Sequence, residues 1–217
     1  ITDNAQAQSI LFAVDHGATF TGDTGTGSSY DLIVSGQGAT GVFANGVDDL
    51  NNTDISDDVA TQLTTGAASV TVSGNNAIGV KVTGGAEGAI TDGAITLAGD
   101  NTTAVMVDGR NYNIDATIDP EPRETRVVSD AVIASNAGQS GIVGYNVGYL
   151  GNLTLNAGAA INLLGNSSTG IVLHNNGQAT VTAAVSVAGT DNIGVDIQNA
   201  GLLNNDGIIT VSGAAGS

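Results

Sequence analysis

Apolar and small polar residues alternate along most of the chain in short runs, the period of a strand with one face buried. These runs share one register. Around Gly74, which closes Val70-Thr71-Val72-Ser73-Gly74, apolar residues stand four and two places before, at Val70 and Val72. A small residue, Gly79, stands five places after, and apolar Val80 and Val82 stand six and eight after. The register recurs with Leu32, Val34, Gly36, Gly41, Val42 and Ala44, and with Ile95, Leu97, Gly99, Ala104, Val105 and Val107. It returns with Ile161, Leu163, Gly165, Gly170, Ile171 and Leu173, and with Val185, Val187, Gly189, Gly194, Val195 and Ile197. Val132, Ala134, Asn136, Gly141, Ile142 and Gly144 fit as a degenerate copy, and a last copy opens at Ile209, Val211 and Gly213. A third apolar segment, at Ile90, Leu155, Val181 and Leu203, precedes most anchors.

The anchor positions recur at intervals of 38, 25, 37, 29, 24 and 24 residues. Three short strands per unit of this length predict an all-β fold, a parallel β-helix of roughly eight coils. Alternation sends one set of side chains inward and the other to solvent. A β-sandwich also has closely spaced strands, but gives no reason for a shared register. Residues 1–30 read as an N-terminal cap or first coil, and 31–217 as the coils. The array is cut in mid-unit at Ser217, which predicts that the native protein continues and that this solenoid is truncated at its C-terminal end. Two intervals are too long for a coil, predicting excursions near 45–62 and 110–129. The second contains Pro120 and Pro122, which cannot donate to a central ladder, so it is expected to leave the solenoid as a loop.

Composition narrows the classes. The chain of 217 residues has 32 Gly and no Cys or Trp, so the core must be aliphatic and no disulfide or thiolate chemistry is available. With 21 acidic and 4 basic residues the net charge is −17, which repels phosphate backbones and argues against a nucleic-acid partner. No apolar run is long enough for a membrane-spanning helix, so direct membrane insertion is not expected.

Several motifs invite chemistry. Gly36-Gln37-Gly38-Ala39-Thr40-Gly41 has the letters of a dinucleotide fingerprint, but a strand follows where that fingerprint needs a helix, so no cofactor is expected. Gly22-Asp23-Thr24-Gly25 resembles a serine-protease nucleophile loop with Thr24 in place of Ser, and His174 ends a repeat strand as a turn residue. Asp48, Asp49, Asp54, Asp57 and Asp58 are weak candidates for calcium; their spacing fits no EF-hand, and a solvated acidic loop accounts for them. Adjacent aspartates on a strand face opposite ways and make a poor acid–base pair. The turns after the anchors are polar, and in a β-helix they stack as an external ridge. Asn76, Asn101, Ser167 and Asp191 are the candidates there for self-association, against the simpler reading of local turn chemistry. Outward positions of the repeat (Ile33, Thr71, Thr96, Ile133, Asn162, Ser186, Thr210) are too mixed for an ice-binding threonine ladder. The second excursion gathers Arg110, Arg123 and Arg126 with Tyr112, candidates for contact with an acidic glycan. Their neighbours Asp115, Asp119, Glu121 and Glu124 could instead simply neutralise them.

The units that end Val72-Ser73-Gly74 and resume Gly79-Val80, or end Val187-Ala188-Gly189 and resume Gly194-Val195, resemble the passenger domains of monomeric bacterial autotransporters, especially the adhesins. The resemblance covers about residues 30–217. It implies a right-handed β-helix, exported unfolded and displayed at the cell surface through an outer-membrane barrel absent from this chain. It also implies a non-enzymatic role, attaching to a host glycan or matrix protein or to another copy of itself. A carbohydrate-active lyase or hydrolase and a passive structural stalk are the competing expectations.

Overall fold

The computed structural model describes residues 10–15, 17–21, 31–48, 59–66, 69–91, 93–110 and 123–213. Asp49, Asp54, Asp57, Asp58 and Tyr112 lie outside these, as do His16, the Gly22–Gly25 motif, Asp115, Asp119 and Glu121. The described residues are strands and turns that wind through three seven-stranded parallel sheets. One coil runs through Ser69–Val72, Ile78–Thr83 and Glu87–Ile90, and Ala94–Leu97 then returns beside Ser69–Val72. The sheets holding Ile78–Thr83, Glu87–Ile90 and Ser69–Val72 are called first, second and third below. The fold is a parallel β-helix, and the described residues make seven coils against the roughly eight that the repeat length predicts.

Val and Ile favour these strands because their branched side chains pack well on a pleated, half-buried surface. In the third sheet Leu32, Val70, Ile95, Ile133, Ile161 and Val185 stack in one inward column, all buried. Val34, Val72, Leu97, Leu163 and Val187 form a second. In the first sheet Val42, Val80, Val105, Tyr145 and Ile171 do the same. Burying each such aliphatic side chain stabilises by about 1.5–3 kcal/mol. The small residue at the second position of most first-sheet strands has a steric cause. A Cβ on Gly170 would stand 2.5 Å from the Gly194 carbonyl oxygen of the next coil.

The degenerate copy sits one residue further along than the sequence pattern suggests. Ile133, not Val132, enters the core, and Ala134 takes the outward place expected for Ile133. The following turn, 136–142, has two residues more than the five of 98–102, so Gly144 and Tyr145 stand where Gly141 and Ile142 were expected. This coil buries the aromatic side chain of Tyr145 in full, and its phenol shares a 2.7 Å hydrogen bond with Ser129 Oγ. Burial pushes the phenol pKa above its ordinary value. Ser129 stands between Ile90 and Leu155 of the neighbouring coils, and Ser135 beside Leu97. Ser129 is thus small where its neighbours are large, and its hydroxyl meets the phenol.

The second excursion is also shorter than 110–129. Thr125–Ser129 is a second-sheet strand between Glu87–Ile90 and Gly151–Leu155, with Val127 in the core. The prolines that suggested a loop lie before it. The first excursion begins after Gly46, where Val47–Asp48 and Val59–Ala60 pair antiparallel before Gln62–Thr64 rejoins the second sheet.

Two outcomes test this architecture. Val127→Asp, Val80→Asp and Ile171→Asp are each expected to cost several kcal/mol, because each places an unpaired carboxylate in the apolar column. Equal melting of Val127→Asp and the parent would return this segment to a loop. Tyr145→Phe removes a buried hydrogen bond and is expected to lower the urea-unfolding free energy by about 1–3 kcal/mol.

Candidate functional site

The corners carry the polar chemistry. At the third-to-first corner, Asn76, Asn101, Ser167 and Asp191 occupy equivalent places with φ of 59°, 54°, 49° and 56°. Each is exposed. The left-handed conformation is one that Asn and Asp tolerate better than most side chains. Gly38 and Gly141, with φ of 68°, complete the column in two other coils. Its backbone is stitched from coil to coil. Asn76 N–H donates to Asp100 O (3.0 Å), Asn101 N–H to Ser140 O (2.8 Å) and Ser167 N–H to Thr190 O (2.8 Å). The preceding residues add a side-chain ladder. Asn75 Oδ1 accepts from Asp100 N–H (3.1 Å), Asp100 Oδ1 from Ser140 N–H (2.9 Å) and Asn166 Oδ1 from Thr190 N–H (3.0 Å). The structure therefore brings the four ridge candidates into one stacked column. Asn75, Asp100 and Asn166 spend side-chain oxygens on building it.

Both excursions leave from another corner, between the first and second sheets. Where the chain turns directly, it does so in two residues. Gly84-Gly85, Asn175-Asn176 and Asn199-Ala200 each have positive φ throughout, as in a type I′ turn. Ala86, Gly177 and Gly201 N–H close these turns on Thr83, His174 and Gln198 O; His174 is thus a turn residue, as its place in the repeat suggested. In the two coils with excursions a buried threonine stands at the position of Ala86. Thr61 Oγ1 donates to Asn45 O (3.1 Å) and accepts from Gly17 N–H (3.0 Å). Thr125 Oγ1 donates to Asp108 O (3.2 Å) and accepts from Gly85 N–H (2.8 Å). Asn45 and Asp108 both pair with Thr83, so the two clamps are the same device repeated.

The arginine candidates separate. Arg110 lies against fully buried Asp108: its Nε reaches Oδ1 at 3.0 Å, its Nη2 contacts Oδ2, and its N–H donates to Oδ1 at 2.9 Å. Arg123 N–H closes the excursion on Gly109 O (2.8 Å). Arg126 is on the strand, facing outward, with Nε and Nη2 each 3.1 Å from the two oxygens of Glu124. These hydrogen bonds, with one from Asn152, hold the Glu124 carboxyl below its ordinary range, so Glu124 is ionised at neutral pH. Lys81, alone on its strand in sequence, is buried with Nζ 5.2 Å from the Phe43 ring centroid. Burial lowers its pKa, and Asp108 opposes that shift. Among the described residues no cluster of three metal-ligating side chains occurs. No helix there is long and apolar enough to cross a membrane, which leaves strand-built membrane barrels aside.

Sequence reading missed a cleft of about 190 Å³ lined by Glu124, Leu150, Gly151, Asn152, Asn176 and Gln178. It lies between two columns. Glu124, Leu150 and Asn176 stack at the corner, and Arg126, Asn152 and Gln178 stack two residues further along each strand. The signal in the sequence is the spacing from Arg126 to Asn152 to Gln178, visible only once the outward positions of the second sheet are aligned.

With this geometry in hand, comparison with known proteins adds little. No protein-family model matches the chain, and no curated protein does. Among solved structures a TibC-catalysed hyper-glycosylated TibA fragment aligns at 14% identity over 93% of this chain and 99% of that one, with a TM-score of 0.15. A score so low assigns neither fold nor function.

Thr61→Val and Thr125→Val keep shape while leaving a buried N–H and C=O without their hydroxyl partner. Each is expected to cost about 1–3 kcal/mol in urea unfolding. With a tight coil between the two sites, the double variant should show near-additive losses. An unchanged midpoint in either single variant would remove the clamp from the structure's support.

Proposed function

We propose that this chain is part of an extended bacterial surface adhesin, non-catalytic, acting through attachment to a host glycan or matrix protein or through association between copies of itself. The observation that carries the reading is the stacked corner column. It presents exposed polar side chains at Asn76, Asn101, Ser167 and Asp191, with Gly38 and Gly141 at the same place in two other coils, on a β-helix. Rungs recur about every 4.8 Å, so a second surface of the same period meets many contacts at once. One hydrogen bond contributes only about 1 kcal/mol, but repetition makes later contacts intramolecular. The repeat motifs resembling autotransporter adhesin passengers support the same reading, and with it display at the cell surface through a barrel outside this chain.

The corner conformation makes a clean test possible. Glycine adopts positive φ without strain, so replacing all four residues by Gly should leave the melting temperature equal or higher. Clumping of cells displaying the variant is expected to fall, most clearly in modest salt where the repulsion between chains of net charge −17 is screened. Undiminished clumping with an intact fold would make the ridge inert.

A further inference from the structure

The cleft beside the second excursion has the makings of a ligand site. Its walls are the corner column (Glu124, Leu150, Asn176) and the first outward column of the second sheet (Asn152, Gln178), and Gly151 lies between them. One wall is held rigid. Glu124 accepts from Arg126 Nε and Nη2 (both 3.1 Å) and from Asn152 Nδ2 (3.2 Å). That fixes the Asn152 amide and leaves its Oδ1 as an acceptor. The side-chain amides of Asn176 and Gln178 make no hydrogen bond within the protein among the described residues. Each brings two donors and an acceptor to the cleft.

A second observation marks the same place. The turn Gly148–Gly151 is closed by Gly151 N–H on Gly148 O (2.9 Å), with positive φ at Leu150 alone (53°). That is the pattern of a type II turn, whose third position ordinarily takes Gly. The equivalent corners carry Gly85, Asn176 and Ala200. A bulky residue held in this region is strained, and such strain concentrates at ligand sites. It places a branched apolar side chain on the wall of an otherwise polar cleft.

We propose that this cleft binds one uncharged, hydroxyl-rich ring, a neutral sugar residue. Vicinal hydroxyls, each both donor and acceptor, match the amides of Asn152, Asn176 and Gln178, and Leu150 packs against the ring's C–H face. The charge balance selects neutrality. Arg126 is already neutralised by Glu124 and flanked by Glu87 in the adjacent strand, and the chain as a whole is strongly acidic, so an anionic sugar is repelled. Affinity is expected to be millimolar, because the cleft is shallow and has no aromatic platform among its lining residues. This site differs from the acidic-glycan contact that the arginines suggest in sequence. It rests on the adhesin reading only for its biological use.

The test is an amide-resolved NMR titration of the isotopically labelled chain. The probes are methyl α-mannoside, methyl β-galactoside and N-acetylglucosamine, alongside N-acetylneuraminic acid and glucosamine. The expected result is saturable movement of the Asn152, Asn176 and Gln178 side-chain signals with at least one neutral probe. Gln178→Ala, at an exposed outward position, should weaken that binding by about fivefold to tenfold with unchanged melting. Asn176→Gly, which suits the positive φ, should do the same. No response to any neutral probe at tens of millimolar, a response only to the charged probes, or full affinity in both variants would overturn the proposal. Clumping that persists in a chain binding no glycoside leaves the adhesin reading standing. Glycoside binding by a chain whose displaying cells neither clump nor adhere leaves the cleft standing and removes the adhesin reading.

Discussion

Three parallel ladders tie each coil to the next, and the in-register stacking they impose governs every other feature of the chain. A side chain's column is set by the residues above and below it, as with Val42, Val80 and Val105 or Leu32, Val70 and Ile95. A shift of one residue in any coil would turn its apolar set to solvent, because side chains alternate along a strand. The coils therefore cannot absorb irregularity within strands. They absorb it at corners, or by exchanging volume within one coil, as Tyr145 does with Ser129.

The corners accordingly divide the work. At the third-to-first corner the backbone adopts the same left-handed residue coil after coil, so Asn76 and Asn101, and again Ser167 and Asp191, stand one rung apart, with Gly38 and Gly141 in the same column. At the first-to-second corner the chain either closes in two residues or leaves altogether. Local features follow from that choice: the buried threonines at the returns, the Asp108–Arg110 pair at one departure, and the cleft that begins where the second excursion comes back at Glu124. Regularity supplies the ridge, and interruption supplies the cleft.

Much of this was legible in the sequence, because inward columns need β-branched or γ-branched residues and the register of those residues repeats. The strands around Gly74, Gly99, Gly165 and Gly189 stand where the pattern puts them. It slipped at Ile133 because Val132, Ile133 and Ala134 are all apolar and fit either alternation, while Ser135 puts a polar residue where Leu97 stands in the neighbouring coil. The end of the second excursion was misjudged for a related reason. Thr125-Arg126-Val127-Val128-Ser129 alternates correctly, but Arg126 among other arginines looked like loop chemistry rather than the outward face of a strand. The cleft was hidden because its residues come from three coils and share nothing but register.

The threonine at each return also bears on how such a chain can change. Closing a loop of greater length adds entropy cost only logarithmically, so the length of an excursion matters little once its ends are held. Here the ends are held by one hydroxyl that bonds the preceding coil and the departing strand together. The positions equivalent to Thr61 and Thr125 in the direct corners are Ala86, Gly151, Gly177 and Gly201, all small. The corner thus works as an insertion port. A segment grafted there with a threonine at its return can vary in length and sequence while the ladders on either side fold without reference to it.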